Sequence, residues 1–318
     1  FPGKHQLINI NQVHPSNRMN IYRSYKVKQK IIKAFAEKQW RLYIKDEERR
    51  LFDKMENKSK PLVDLFNIKY GLRTGDNSKY VGYDKGIYPL IAGSDIAELY
   101  KIVWKPKFLK QIEGLPESYF NENFTKEKII VQYVRTNSLN LNARWLEAAL
   151  NLGDHIPLNS LSYIYEKSEK YKIKYCLALI NSFLMNRYYR TYYTDVNVKP
   201  SYLSELPIPD ISEIQQEHYE TLVDYVIFSK EINEALIASY FSQLIDAMVF
   251  ELYFEDAIYL AKKHIIKNIG NLISIDHNMR KEKKLSIIQS EFNRLYDPNH
   301  PVRNNIETLD SVEEVRII

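Results

Sequence analysis

Two hydrophobic periods divide this chain, and prolines mark the changes between them. From Pro61 to Pro209 apolar residues come in short runs separated by turn signals. The runs span 65–70, 79–83, 100–104, 128–133 and 161–166, and their composition and length predict β-strands. Gly71, Gly75, Asp76-Asn77, Asp84-Lys85-Gly86 and Asn151-Leu152-Gly153-Asp154 punctuate them. After Ile211 the period becomes helical. Leu222, Val226, Ile232, Leu236, Leu244, Met248, Leu252 and Leu260 predict two or more packed helices, and Ser212 with Gln215 has the spacing of a capping box.

One helix is expected inside the strand-rich part, over 172–190, where Ile173, Leu177, Ile180 and Leu184 fall on one face. Pro200 and Leu206-Pro207-Ile208-Pro209 end that unit in extended chain. Ahead of Pro61, residues 20–56 read as mostly helical from the spacing of Ile31, Phe35 and Leu42. Trp40 to Ile44 reads equally well as a short strand. The tail beyond Asn293 offers few apolar anchors and is expected to be loosely held. The fold class is therefore α+β: a mixed, twisted β-sheet unit with packed helices, followed by an α-helical C-terminal region. Three parts are expected: a basic, mostly helical connector at 1–60, a β-rich domain at 61–210 and a helical region at 211–318.

Composition narrows the class. Hydrophobic residues make up 45% and charged residues 27% of the 318 positions, as in an ordinary globular protein. Lys and Glu interrupt the apolar runs before they reach the ~18 residues of a membrane span. The first residues, Phe1-Pro2-Gly3-Lys4, have no secretory pattern and no initiator Met, the look of a piece cut from a longer polypeptide. The single Cys176 can form neither an internal disulfide nor a cysteine zinc cluster, which fits a cytoplasmic location, and in an apolar helix it reads as a small buried hydrophobe. Net charge is +5 but uneven. Residues 1–60 carry 15 Lys+Arg against 6 Asp+Glu, residues 61–210 carry 19 against 16, and residues 211–318 carry 11 against 18. A basic front and an acidic back make an oriented field that suits a polyanion on one side. Of the 25 tyrosines, nine fall between Tyr163 and Tyr202.

The order of segments carries a resemblance. Pro61-Leu-Val-Asp-Leu-Phe-Asn-Ile-Lys-Tyr-Gly71-Leu72-Arg73-Thr74-Gly75-Asp76-Asn77 opens the stretch, Pro89-Leu-Ile-Ala-Gly93-Ser-Asp95-Ile96 follows, and a helix containing Asn181-Ser182 precedes the closing Leu206-Pro-Ile-Pro209. This succession resembles the TaqI-like specificity domain of restriction-modification enzymes, found behind adenine-specific methyltransferases and in fused type II enzymes. The resemblance covers about half the chain and implies recognition of a short sequence in double-stranded DNA. It also implies a methyltransferase or endonuclease catalytic domain as partner. At Ile91-Ala92-Gly93-Ser94-Asp95 the Gly and Asp usual in the family are present, but the customary basic residue beside them is absent.

Three segments carry the residue types that contact DNA. Arg reads guanine, Asn and Gln read adenine, and Lys, Arg, Ser, Thr and Tyr hold phosphates. The turn 71–79 offers Arg73, Thr74, Asn77 and Lys79, with two glycines that let backbone approach another surface closely, or that serve only the turn. The segment 134–144 offers Arg135, Asn137 and Arg144. The segment 186–202 offers Arg187, Lys199 and Tyr202, while about half of Tyr188, Tyr189, Tyr192 and Tyr193 are expected in the core.

Catalytic chemistry is not legible. A methyltransferase of this class needs a Gly-rich loop for S-adenosylmethionine and an Asn-Pro-Pro-aromatic motif at the flipped base, and neither occurs. S-adenosylmethionine and Mg²⁺ are therefore implied only for catalytic domains outside this chain. The loose acidic–Glu-x-Lys spacings at Asp53, Glu56 and Lys58, and at Asp276, Glu282 and Lys284, leave a self-sufficient metal nuclease as one alternative. A helical protein-interaction module is the other. The seven His form no metal-ligand spacing, so no metal site is expected.

Overall fold

Residues 161–166, an apolar run in the sequence, become an inner strand of the sheet around which the molecule is built. The computed structural model describes residues 7–14, 17–28, 44–115, 122–134, 144–193 and 195–318. In chain order, β1 (Leu7–His14) and β2 (Asn17–Lys28) form an antiparallel hairpin. Helix α1 (Asp46–Asn57), β3 (Ser59–Pro61) and β4 (Phe66–Tyr70) follow. Five short strands come next: β5 (Val81–Gly82), β6 (Tyr88–Ile91), β7 (Ile96–Glu98), β8 (Lys101–Ile102) and β9 (Phe108–Leu109). Then come β10 (Lys128–Gln132), β11 (Ala148–Asn151), β12 (Ile156–Pro157) and β13 (Leu161–Glu166). Helices α2 (Ile173–Asn181) and α3 (Phe183–Tyr192) lead to β14 (Pro207–Pro209), and the principal later helices are α4 (Glu213–Glu231), α5 (Ala235–Tyr253), α6 (Lys281–Leu295) and α7 (Pro301–Glu307).

The central sheet has four antiparallel strands in the order β11-β10-β13-β4. Both of its faces are covered, and the alternation of side chains divides its residues between two cores. Ile129, Val131, Ala148 and Ile164 face the helices, while Ile130, Ala149, Tyr163 and Tyr165 face a second, mixed sheet ordered β12-β6-β9-β5. A parallel bridge between Leu72 and Leu158 joins the edges of the two sheets. On the helical side α2 packs on α4, α4 on α5, and α5 also against α3 and α6. Strand β14 pairs with β3, Pro207 opposite Pro61, closing the β-rich unit where it opened.

The α+β class and the strands at 66–70, 128–132 and 161–166 agree with the sequence reading. Four expectations need correction. Residues 17–28 are strand rather than helix, in keeping with the even spacing of Met19, Ile21, Tyr25 and Val27. Residues 29–43 lie outside the described residues. The run at 79–83 begins as a helical turn over Asn77–Tyr80, because the Asp76 carboxylate accepts from the backbone N–H groups of Ser78 and Lys79. The helix at 172–190 is two helices. Ser182 is extended (φ −65°, ψ 151°), and its Oγ accepts from the Met185 N–H at 3.1 Å, ending α2 and capping α3. The tail is anchored by Leu295, Val302, Leu309 and Val312, all buried in the helical core. Cys176 is fully buried, with its thiol pushed well up by burial.

Helix α5 is long and apolar enough to cross a membrane by length and composition, yet 61% of its apolar window is buried within the protein. Its partners α3, α4 and α6 place it as a core helix.

Candidate nucleic-acid interface

Strand register gathers the candidate segments at one end of the central sheet. Tyr70 lies opposite Ser162, Gln132 opposite Leu161, and Val131 opposite Ala148. The chain therefore leaves β4 and β10, and approaches β13 and β11, at the same edge. An antiparallel bridge between Val134 and Asn197 brings the segment after α3 to this edge. The Gly93 N–H donates to Ser160 Oγ at 2.9 Å and brings the 92–95 loop there too.

The turn after β4 is fixed by close packing. A Cβ on Gly71 would lie 2.2 Å from the Leu158 carbonyl oxygen, so only glycine fits. Gly75 has φ +73°, with open space around it. Arg73 is exposed, its guanidinium 4.5 Å above the Tyr70 ring, which meets Tyr133 edge-on at 5.7 Å. Thr74 donates to Asn77 Oδ1 at 2.5 Å, so these two side chains shape the turn. The Asp76 carboxyl is held below its ordinary range by the Ser78 hydroxyl and the Lys79 N–H. Lys79 is exposed beside the Tyr80 ring at 4.8 Å, and the Tyr80 side chain raises its pKa.

Lys199 pairs with Asp195 and donates to the Tyr202 hydroxyl at 3.4 Å. The carboxylate and then the phenol raise its pKa. Tyr202 stacks on Tyr193 at 4.7 Å, and the Val198 N–H donates to the Tyr133 carbonyl at 2.7 Å. Tyr188, Tyr189, Tyr192 and Tyr193 are all buried, more than the half expected.

Two of the predicted arginines are engaged by the fold. Arg144 pairs with Asp246 at 3.1 Å and donates to the Asn181 carbonyl; Arg187 pairs with Glu48. Arg135 and Asn137 lie outside the described residues. Sequence reasoning missed the lysines of the neighbouring loop. Asp95, fully buried, accepts from the Ala92 N–H at 2.8 Å and from Lys107 Nζ at 2.5 Å, while Lys105 Nζ reaches the Ser94 carbonyl at 3.3 Å. The basic group absent from the sequence beside Asp95 is thus supplied in space from about ten residues downstream. Lys110 Nζ reaches the Ser78 carbonyl at 2.9 Å. The available signal was four lysines and no carboxylate over residues 101–110.

Among the described residues no group of three His, Cys, Asp or Glu could hold a metal ion. Asp53 and Glu56 lie on α1, where Glu56 accepts from the Tyr188 hydroxyl at 2.7 Å. Asp276 Oδ1 accepts from the N–H groups of Asn278 and Met279, at 2.7 and 3.1 Å.

Residues 88–208 match the family of the TaqI-like C-terminal specificity domain. Over this stretch the chain is similar to a TaqI-like specificity domain. The stretch holds Lys105, Lys107, Arg144, Arg187, Lys199 and Tyr202, and the Arg73 turn lies just ahead of it. No curated protein matches the sequence. Among solved structures, the HsdS subunit from Thermoanaerobacter tengcongensis is 9% identical, with a TM-score of 0.36 over 66% of this chain and 51% of that one. The type I restriction-modification S subunit from M. genitalium is 15% identical, with a TM-score of 0.35 over 66% and 49%. The type IIL restriction-modification enzyme MmeI in complex with DNA is 8% identical, with a TM-score of 0.38 over 81% and 37%. The chain spans about half the length of these proteins or less.

Proposed function

We propose that this chain reads a short sequence in double-stranded DNA as the specificity portion of a restriction-modification enzyme. The observation that carries this reading is the convergence, at one end of the central sheet, of the turn bearing the exposed Arg73, the 92–95 loop that Lys105 reaches and the segment bearing Lys199 and Tyr202, most of it within the stretch that matches the specificity domain. The Arg73 guanidinium, propped on Tyr70, is the first choice for a base edge. Lys79, Lys105 and Lys199 suit phosphates, which position the protein without carrying sequence information. Thr74 and Asn77 hold the turn, and Tyr202 supports Lys199.

The chemistry belongs to a partner. Adenine-N6 methylation with S-adenosylmethionine, Mg²⁺-dependent cleavage, or both would occur in a catalytic domain outside this chain, in the cytoplasm. The acidic helical region 211–318 is the docking surface for that domain, since its charge repels DNA.

The test is selection from a randomised duplex pool by the purified chain at low and moderate salt, followed by sequencing. An enriched motif of a few base pairs, with log affinity falling steeply against log salt, is the expected result. No DNA retained at either salt would remove the reading in favour of a protein-interaction module. Cutting of the pool by the chain with Mg²⁺ alone would establish the nuclease alternative.

A further inference from the structure

Arg190 differs from Arg144 and Arg187, the two arginines nearest to it along the loop and the helix. Its neighbours Arg144 and Arg187 each meet a carboxylate, Asp246 and Glu48. Arg190 is half-buried in the last turn of α3 and meets no carboxylate among the described residues. Its guanidinium carbon lies 5.5 Å from the centre of the Trp145 ring. The Trp145 main chain is tied to the same helix, because its backbone N–H donates to Asn186 Oδ1 at 2.8 Å, one turn before Arg190. Burial and the nearby Arg187 charge both weaken the hold of Arg190 on its proton, so the cation sits where an anion would relieve it.

The position also matters. Trp145 follows Arg144, at the downstream end of the candidate loop, and α3 leads into Asn197, which bridges Val134 at the upstream end. Arg190 therefore lies beside the proposed DNA face. A guanidinium held against an indole presents its planar fork of N–H donors from a defined place, and that fork can take two oxygens of a phosphate. Held against the protein, it cannot extend into a major groove ~8.5 Å deep to reach a base edge.

We propose that Arg190, seated on Trp145, binds a phosphate of the DNA backbone and sets the register of the duplex against the reading loops. This inference rests on the DNA reading above. A positive side chain at a helix C-terminus also complements the helix dipole, and the experiment separates that structural role from phosphate binding.

The full chain carrying Arg190→Gln is titrated with two duplexes, one with the selected motif and one with it scrambled, across a salt series. Loss of the phosphate contact weakens both duplexes by the same factor, about tenfold. It also lowers the slope of log affinity against log salt by about 0.9. Arg190→Lys keeps the charge and hence the slope, while losing part of the affinity. Thermal melting of both variants reports the fold, and the Lys variant serves should the Gln variant melt early. Affinity and slope unchanged in the Gln variant would overturn the proposal, as would a loss confined to the selected duplex, which marks a base contact. A wild-type chain that binds neither duplex would overturn the DNA reading itself, and this inference with it.

Discussion

Lys128 shows how far one residue can depart from what its type announces. It opens β10, is fully buried, and donates through Nζ to the Phe124 carbonyl at 2.9 Å. Burial pushes its pKa down to about 8, against the pull of Asp154 and Glu127. Its folded pKa lies below the unfolded value, so between the two the unfolded chain holds more protons and stability rises with pH. A stability increase from about pH 8 to about 10.5 is therefore expected, and Lys128→Met should flatten it. The same substitution should add about 1 kcal/mol near neutrality, by removing a buried charge. Urea denaturation at several pH values measures both effects. The arginines show the limit of reading at this scale. Arg73, Arg144 and Arg187 look alike in sequence, each in a polar segment. The partners that occupy two of them lie 102 and 139 residues away, at Asp246 and Glu48, and no local pattern can announce such pairs.

Among elements, those legible in the sequence are those whose own residues suffice to define them. Strand β13 is a run of six residues, five of them buried, and the capping box at Ser212 and Gln215 forms as its spacing predicts. Strands β6, β9 and β11, of two to four residues, exist because of what they pair with, so their sequences carry little signal. The break between α2 and α3 was legible in principle from Asn181-Ser182, but the apolar period running through it outweighed the cap. The turn after β4 yields a prediction at this scale. Gly71→Ala places its Cβ against the Leu158 backbone, which cannot yield, and should cost about 1–3 kcal/mol or more. Gly75→Ala meets no neighbour and carries only the positive-φ penalty of about 1 kcal/mol. Chemical denaturation of the two variants should rank them in that order.

Across the whole molecule, the division at residue 210 does not divide the core. One hydrophobic cluster runs from Ile44 through the helix-facing side of the central sheet to Val312. The Arg144–Asp246 pair ties the end of the candidate segment 134–144 to α5, and the Phe183 N–H donates to the other Asp246 oxygen at 2.7 Å. Their side chains are 28 and 20% exposed, so removing one partner strands a largely enclosed charge. Asp246→Ala should cost about 3 kcal/mol, and pairing it with Arg144→Ala should recover part of that loss. Thermal melts of the two single variants and the double variant complete the cycle. A coupling near zero would show the pair to be idle. The change of hydrophobic period near residue 210 predicts a change from strands to helices, and helices do predominate after it, yet this long-range packing left no trace in the sequence.

The pairing of β3 with β14 sets Pro61 opposite Pro207, one strand spacing of ~4.8 Å apart. Seen from the helices that follow, everything from Leu62 to Leu206 is a single hairpin loop, grown to the size of a domain. Its tips can lengthen, shorten or exchange side chains while the two ends stay clasped at the same spot. A lineage could thus acquire a new vocabulary of targets and hand each one to the same unaltered frame.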